Sequence, residues 1–88
     1  MFYVYLIQSK EDKKLYIGLT NNLKRRIKEH NNGMTFSTKY RTPFRIIYYE
    51  AYFSRVDAEV RERKLKQFKN SYTELKKRLK NSLNYPHK

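Results

Sequence analysis

The sequence contains no cysteine, which excludes a disulfide framework and a thiolate metal site together. Its two histidines, His30 and His87, stand far apart in the chain, so a zinc site is not expected either. No apolar stretch approaches the roughly 20 residues that cross a bilayer. The apolar opening residues, Met1 to Ile7, are too few for the hydrophobic region of a secretory signal, and no small-residue cleavage site follows them. Repeats, linkers and low-complexity segments are also missing. A single domain over residues 1–88, with a thin core and a cytoplasmic location, is the expectation.

Acidic residues are scarce too: 8 Asp plus Glu face 21 Lys plus Arg, for a formal net charge of +13. Charge this far from zero repels itself and calls for an anionic partner. Nucleic acid is the leading one, with DNA expected over RNA. A membrane surface is disfavoured, because no long amphipathic helix carries Trp or Phe on its apolar side.

The apolar pattern divides the chain into elements. Residues 2–8 and 15–19 are rich in aromatic and β-branched residues and flank the polar run SKEDKK, which predicts an antiparallel hairpin. Placing Phe2, Val4, Leu6, Leu15, Ile17 and Leu19 on one face makes that face wholly apolar. Tyr3, Tyr5, Ile7, Tyr16, Gly18 and Thr20 then share the other, since a slip of one residue would mix the two sets. Asn21 or Asn22 caps a helix over 22–31 that Asn31-Asn32-Gly33 ends. A polar, basic loop over 34–43 leads to a third strand, 44–53. Ser54-x-x-Asp57 opens a helix to about residue 68, and Ser71-x-x-Glu74 opens another, striped by Tyr72, Leu75 and Leu79, before a frayed tail at 84–88. The expected fold is α+β: a small three-stranded mixed or antiparallel sheet, the N-terminal hairpin plus strand 44–53, flanked by three helices.

Two helices break amphipathic patterning, and such places are often functional. Leu23, Arg26, Ile27 and His30 share one face, so a charge and an imidazole point with the core contacts. Arg26 either snorkels from the stripe edge or serves a site. On the later helix Ala58, Arg61, Leu65 and Phe68 form the inner stripe, bordered by Glu62. Glu62 is either a surface partner of Lys66 or a carboxylate placed to hold a divalent cation. Tyr5 and Tyr16 are either core packing or a stacking platform for bases.

Taken in order, these residues resemble the GIY-YIG endonuclease domain. Tyr16-Ile17-Gly18 matches the second motif, and Tyr3-Val4-Tyr5 stands where Gly-Ile-Tyr is expected, with ten residues between Tyr5 and Tyr16. Arg26 follows Gly18 by eight residues, and His30 lies one turn on. The run Ala58-x-x-Arg61-Glu62-x-x-Leu65-Lys66 looks like the segment bearing the family's metal-binding glutamate. The likeness covers residues 2–68. It extends to the short stand-alone members, which are similar to the N-terminal nuclease domain of the excision-repair endonuclease.

The resemblance implies a monomeric endonuclease of low sequence specificity that hydrolyses phosphodiesters with one Mg²⁺ or Mn²⁺, in DNA repair or recombination, with or without a protein partner. It implies Glu62 as metal ligand, Arg26 on a non-bridging phosphate oxygen, and Tyr5 or Tyr16 as base or water-orienting group, assisted by His30. Both tyrosine hydroxyls are expected in one pocket with Arg26 and Glu62. Lys24, Arg25, Lys28, Lys39 and Arg41 are the expected backbone grips; if about six phosphates are neutralised, affinity falls steeply with salt. The competing reading is a catalytically silent nucleic-acid-binding module on the same fold.

Overall fold

The computed structural model describes residues 1–35 and 39–85. Strands β1 (Phe2–Ser9) and β2 (Leu15–Thr20) are followed by helix α1 (Leu23–Asn31), strand β3 (Phe44–Tyr52) and helices α2 (Arg55–Gln67), α3 (Lys69–Arg78) and α4 (Lys80–Leu83). The sheet order is β2-β1-β3, and both pairings are antiparallel.

The hairpin register is the one the alternation demands. Val4 faces Leu19 and Leu6 faces Ile17, while Tyr5 faces Gly18 and Ile7 faces Tyr16. On the first face Val4 and Leu6 pack with Ala58 and Leu65 of α2 and Leu75 and Leu79 of the C-terminal helices. The second face is not purely polar. Tyr5, Ile7 and Phe44 form a smaller core there with Leu23 and Ile27 of α1. Helices therefore cover both faces, and β1, central in the sheet, is buried from Val4 to Ser9. In β3 the pairing skips a residue between Leu6 and Ile7, leaving Ile47 as a bulge. The bulge lets Ile46 and Ile47 serve opposite cores, which accounts for the two-sided apolar character of this strand.

The termini of α1 are built as the sequence suggests and then put to further use. The Asn22 side chain caps the helix by accepting from Arg25 N at 3.0 Å. Asn31 bridges to β3: its Nδ2 donates to Phe44 O at 3.1 Å, and its Oδ1 accepts from Phe44 N at 2.6 Å.

Three expectations need correction. The last helix begins at Lys69, not Ser71, because Phe68 alone takes an extended conformation (φ −107°, ψ 107°) between α2 and α3. It also breaks at Leu79, behind Lys76, Lys77 and Arg78, a basic last turn suited to a helix C-terminus; α4 is thus a fourth, short helix. Phe68 accordingly leaves the inner stripe of α2 and is 57% exposed. At the C-terminus Asn84 and Tyr85 are tied down, Asn84 Nδ2 to Lys80 O at 2.9 Å and Tyr85 O to Arg45 Nη2 at 2.6 Å. The rest of the tail, including His87, lies outside the described residues. Among the described residues no helix is long and apolar enough to cross a membrane.

Candidate functional site

Gly18 fixes the position of Tyr5. A Cβ built on Gly18 would lie 2.1 Å from the Tyr5 hydroxyl and 2.2 Å from Cζ. Only a glycine lets the Tyr5 ring lie across β2 from its place on β1. The glycine thus serves the packing of Tyr5.

From there the Tyr5 hydroxyl reaches α1. Its oxygen lies 2.9 Å from His30 Nε2 and accepts a longer bond, 3.4 Å, from Arg26 Nε. A guanidinium can only donate, so Tyr5 accepts from Arg26, and its proton is free to point at His30 when Nε2 is the unprotonated nitrogen. Tyr5 and His30 are both 4% exposed. Burial and the nearby Arg26 charge push the His30 pKa below the ordinary 6.5, so the imidazole is neutral at neutral pH. Burial likewise raises the Tyr5 pKa above 10, outweighing the hydrogen bond and charge of Arg26 that act the other way. The hydroxyl is thus a protonated phenol at neutral pH.

Two carboxylates act on this hydroxyl from different helices. Glu29, one turn beyond Arg26, accepts from Arg26 Nη1 at 3.1 Å. Glu62 on α2 pairs with Lys66 at 3.2 Å, the surface partnership its spacing suggests, yet its charge is also felt at Tyr5 and raises the pKa there. Tyr5, Arg26 and His30 are thus joined by hydrogen bonds, while Glu62 is linked to them by its charge alone.

Tyr16 is placed differently. It packs edge-on against Phe44, ring centroids 5.3 Å apart, and its hydroxyl accepts from Arg41 Nη1 at 2.8 Å. Arg41 also pairs with Asp12 at 3.4 Å. The two hydroxyls lie on one face of the sheet but take different partners, so the expected convergence is only partial. Of the expected grips, Lys24, Arg25 and Lys28 lie on α1, Lys39 has its ammonium over the Tyr40 ring, and Arg41 is engaged by Tyr16 and Asp12.

Beside Arg26 opens a cleft of about 310 Å³ that runs from α1 to the start of α2, with Arg25, Arg26 and Arg55 on its walls. Glu29 is the carboxylate among its lining residues. Sequence reasoning missed both Arg55 and Glu29. The i, i+3 spacing of Arg26 and Glu29 was the available signal for the latter; nothing local marks Arg55.

The donor set bears on the metal that the resemblance implies. Among the described residues no group of three or more His, Cys, Asp or Glu side chains could enclose an ion. A lone carboxylate suits Mg²⁺ or Mn²⁺, hard cations that keep several waters and take substrate phosphate as ligand, and does not suit zinc.

A second polar cluster lies on the other face of the sheet. Glu50 accepts two bonds from Arg61 Nε, at 2.9 and 3.1 Å, and one from Nη2 at 3.0 Å. Tyr48 donates to the same carboxylate at 2.6 Å, and Tyr52 donates as well. Burial pushes the Glu50 pKa up, but these donors outweigh it and hold the carboxyl below the ordinary 4.5; burial and the carboxylate push Tyr48 and Tyr52 up to about 12.

Comparisons with known proteins show the family and the fold. A family model described as the GIY-YIG catalytic domain matches residues 1–79. The UPF0213 protein of Clostridium perfringens is 43% identical over 68 residues, 76% of this chain and 72% of that protein. A UPF0213 protein of Haloquadratum walsbyi is 38% identical over 76 residues, covering 85% of this chain and 80% of its own. The solution NMR structure of a UPF0213 protein from Bacillus halodurans superposes with a TM-score of 0.55 at 34% identity, over 91% of this chain and 86% of that one.

Proposed function

The chain belongs to the GIY-YIG family, beside the stand-alone UPF0213 proteins, and on that footing we propose that it is a metal-dependent endonuclease that hydrolyses backbone phosphodiesters, in DNA before RNA. The observation that carries this reading is the Tyr5 hydroxyl, held between His30 and Arg26 and within the influence of Glu62, beside an arginine-lined cleft. A structural tyrosine has no need of that company.

The residues divide the work. Tyr5, not Tyr16, is the base. A buried phenol is a poor base alone, but a neutral imidazole on its proton changes that. The attacking water's proton passes to the Tyr5 oxygen as the Tyr5 proton moves to His30 Nε2, leaving imidazolium and no net charge change on the tyrosine. Arg26 gives up Glu29 for a non-bridging phosphate oxygen, its planar fork matched to that geometry and its charge worth most as the phosphorane builds up. Glu62, released from Lys66, would hold one Mg²⁺ or Mn²⁺, which would supply Lewis-acid stabilisation of the phosphate and the departing 3′ oxygen. Tyr16 positions Arg41, and with Lys24, Arg25, Lys28 and Lys39 it holds backbone rather than bases, so sequence preference is weak. These properties suit a monomeric cytoplasmic enzyme of DNA repair or recombination.

The test is to incubate the protein with branched, nicked and plain DNA, and with RNA, with Mg²⁺ and with chelator, beside Glu62→Ala and Arg26→Ala. Cleavage that needs the metal and both side chains is expected. Cleavage that survives Glu62→Ala would sink the metal assignment. Intact binding without cleavage of any substrate would favour a silent binding module.

A further inference from the structure

The cleft between α1 and α2 extends beyond the chemistry described above. Arg26 belongs to both, since it donates to Tyr5 and also lines the cleft, so the cleft begins where the reacting groups end. Its walls bring guanidiniums from two separate elements, Arg25 and Arg26 of α1 and Arg55 at the first position of α2. Against them stands the carboxylate of Glu29, which leaves the cleft net positive. Its other lining residues include Phe2 and Leu19, both partly buried and packed against the main core, and Asn21.

A bare anion would need only the charges. Apolar side chains lining the cleft together with cationic ones suit a phosphate joined to a sugar and base, and about 310 Å³ lies at the low end of the volumes that seat small ligands. Arg55 is ready to take such a partner. Its nearest carboxylate, Glu59, is 3.9 Å away, and the side chain is 68% exposed, so this pair is screened and surrenders easily. Arg25, similarly exposed, is 4.0 Å from Glu29.

We propose that this cleft seats the nucleotide unit that flanks the scissile phosphate, with Arg55 gripping its phosphate and Phe2 and Leu19 contacting its sugar or base. The proposal rests on the endonuclease reading and adds to it a second phosphate subsite, reached from α2, that orients the strand across Tyr5. Arg55 touches substrate away from the reacting atoms, so its contribution falls on binding more than on the chemical step.

The test is a methylphosphonate scan, in which one backbone phosphate at a time loses its charge, read by fluorescence anisotropy on a short labelled DNA with chelator present. Neutralising one flanking phosphate weakens binding to the wild-type protein about threefold to tenfold. Arg55→Ala weakens binding comparably, lowers the salt slope by about one and abolishes the sensitivity to that position, while Arg55→Lys retains most of it. In cleavage assays Arg55→Ala raises KM and leaves kcat near wild type. An Arg55→Ala protein with the wild-type salt slope and scan profile, beside an Arg26→Ala protein that binds weakly, overturns the subsite and leaves the endonuclease reading standing. A wild-type protein that binds neither DNA nor RNA overturns both.

Discussion

Around Glu50 and around Tyr5 the chain gathers tyrosine, arginine and glutamate, yet the two clusters are finished in opposite ways. At Glu50 one carboxylate collects bonds from Arg61, Tyr48 and Tyr52, and the charges on it are matched within the cluster. Nothing further is asked of it, and its effect is to tie α2 to β3. At Tyr5 the bonds are fewer and one is long: 2.9 Å to His30 and 3.4 Å from Arg26. The carboxylates there sit beyond the hydroxyl, and Arg26 opens on a cleft. Residue types alone do not distinguish a brace from a site. The degree to which the polar groups satisfy one another, and the space left beside them, does.

The sharpest way to break this comparison is to remove charge from the open cluster. Glu62→Ala or Arg26→Ala is expected to lower kcat about 10²- to 10³-fold, while Glu62→Ala keeps an unfolding free energy within about 0.5 kcal/mol of wild type in urea titration. A large stability loss in Glu62→Ala would move it into the bracing class. The converse substitution, Arg61→Ala, leaves the Glu50 carboxylate with its strongest donor gone, and should cost about 3 kcal/mol of stability. Cleavage per folded molecule should stay within about threefold of wild type. A third variant strikes the open cluster through packing. Gly18→Ala places a methyl where the Tyr5 ring lies, which should cost about 1–3 kcal/mol and reduce cleavage in proportion to the displacement of the hydroxyl. Unchanged tyrosine–histidine cross-peaks in that variant would show that the ring had not needed the glycine.

The smallest effect separates the clusters by pH. The folded pKa of His30 lies below its unfolded 6.5, so the unfolded chain binds the extra proton first. The contribution of a neutral His30 is complete above 6.5 and is lost as pH falls through the depressed folded value. Glu50 follows the same sign lower down: its contribution is complete above the ordinary 4.5 and disappears as pH falls through its own depressed value. Urea unfolding at a series of pH values should therefore show the open cluster weakening first. His30→Gln should remove the upper step alone.

Much of the frame was legible because strand alternation and helix capping are local. The period of two in 2–8 and 15–19 admits one register that keeps apolar side chains together, and that register placed Tyr5 and Tyr16 on one face. The spacing of Arg26 and His30 likewise put both on the inner side of α1, where they meet Tyr5. The end of the chain was harder to read. Ser71 offered a plausible cap, but the docking of Leu75 and Leu79 in the core and the extended turn at Phe68 start and break the helix elsewhere.

The sequence by itself determined which residues share a face, since backbone periodicity sets that without reference to the rest of the chain. It could not decide where a hydroxyl points or which charges meet across elements. Tyr5 turns to His30 and Arg26 because its ring crosses Gly18, while Tyr16, on the same face, is drawn by Phe44 and Arg41 from the distant loop. Glu62 acts on Tyr5 only because α2 docks on the sheet through Ala58 and Leu65. Those relations depend on packing between segments remote in sequence, and only the tertiary structure contains them.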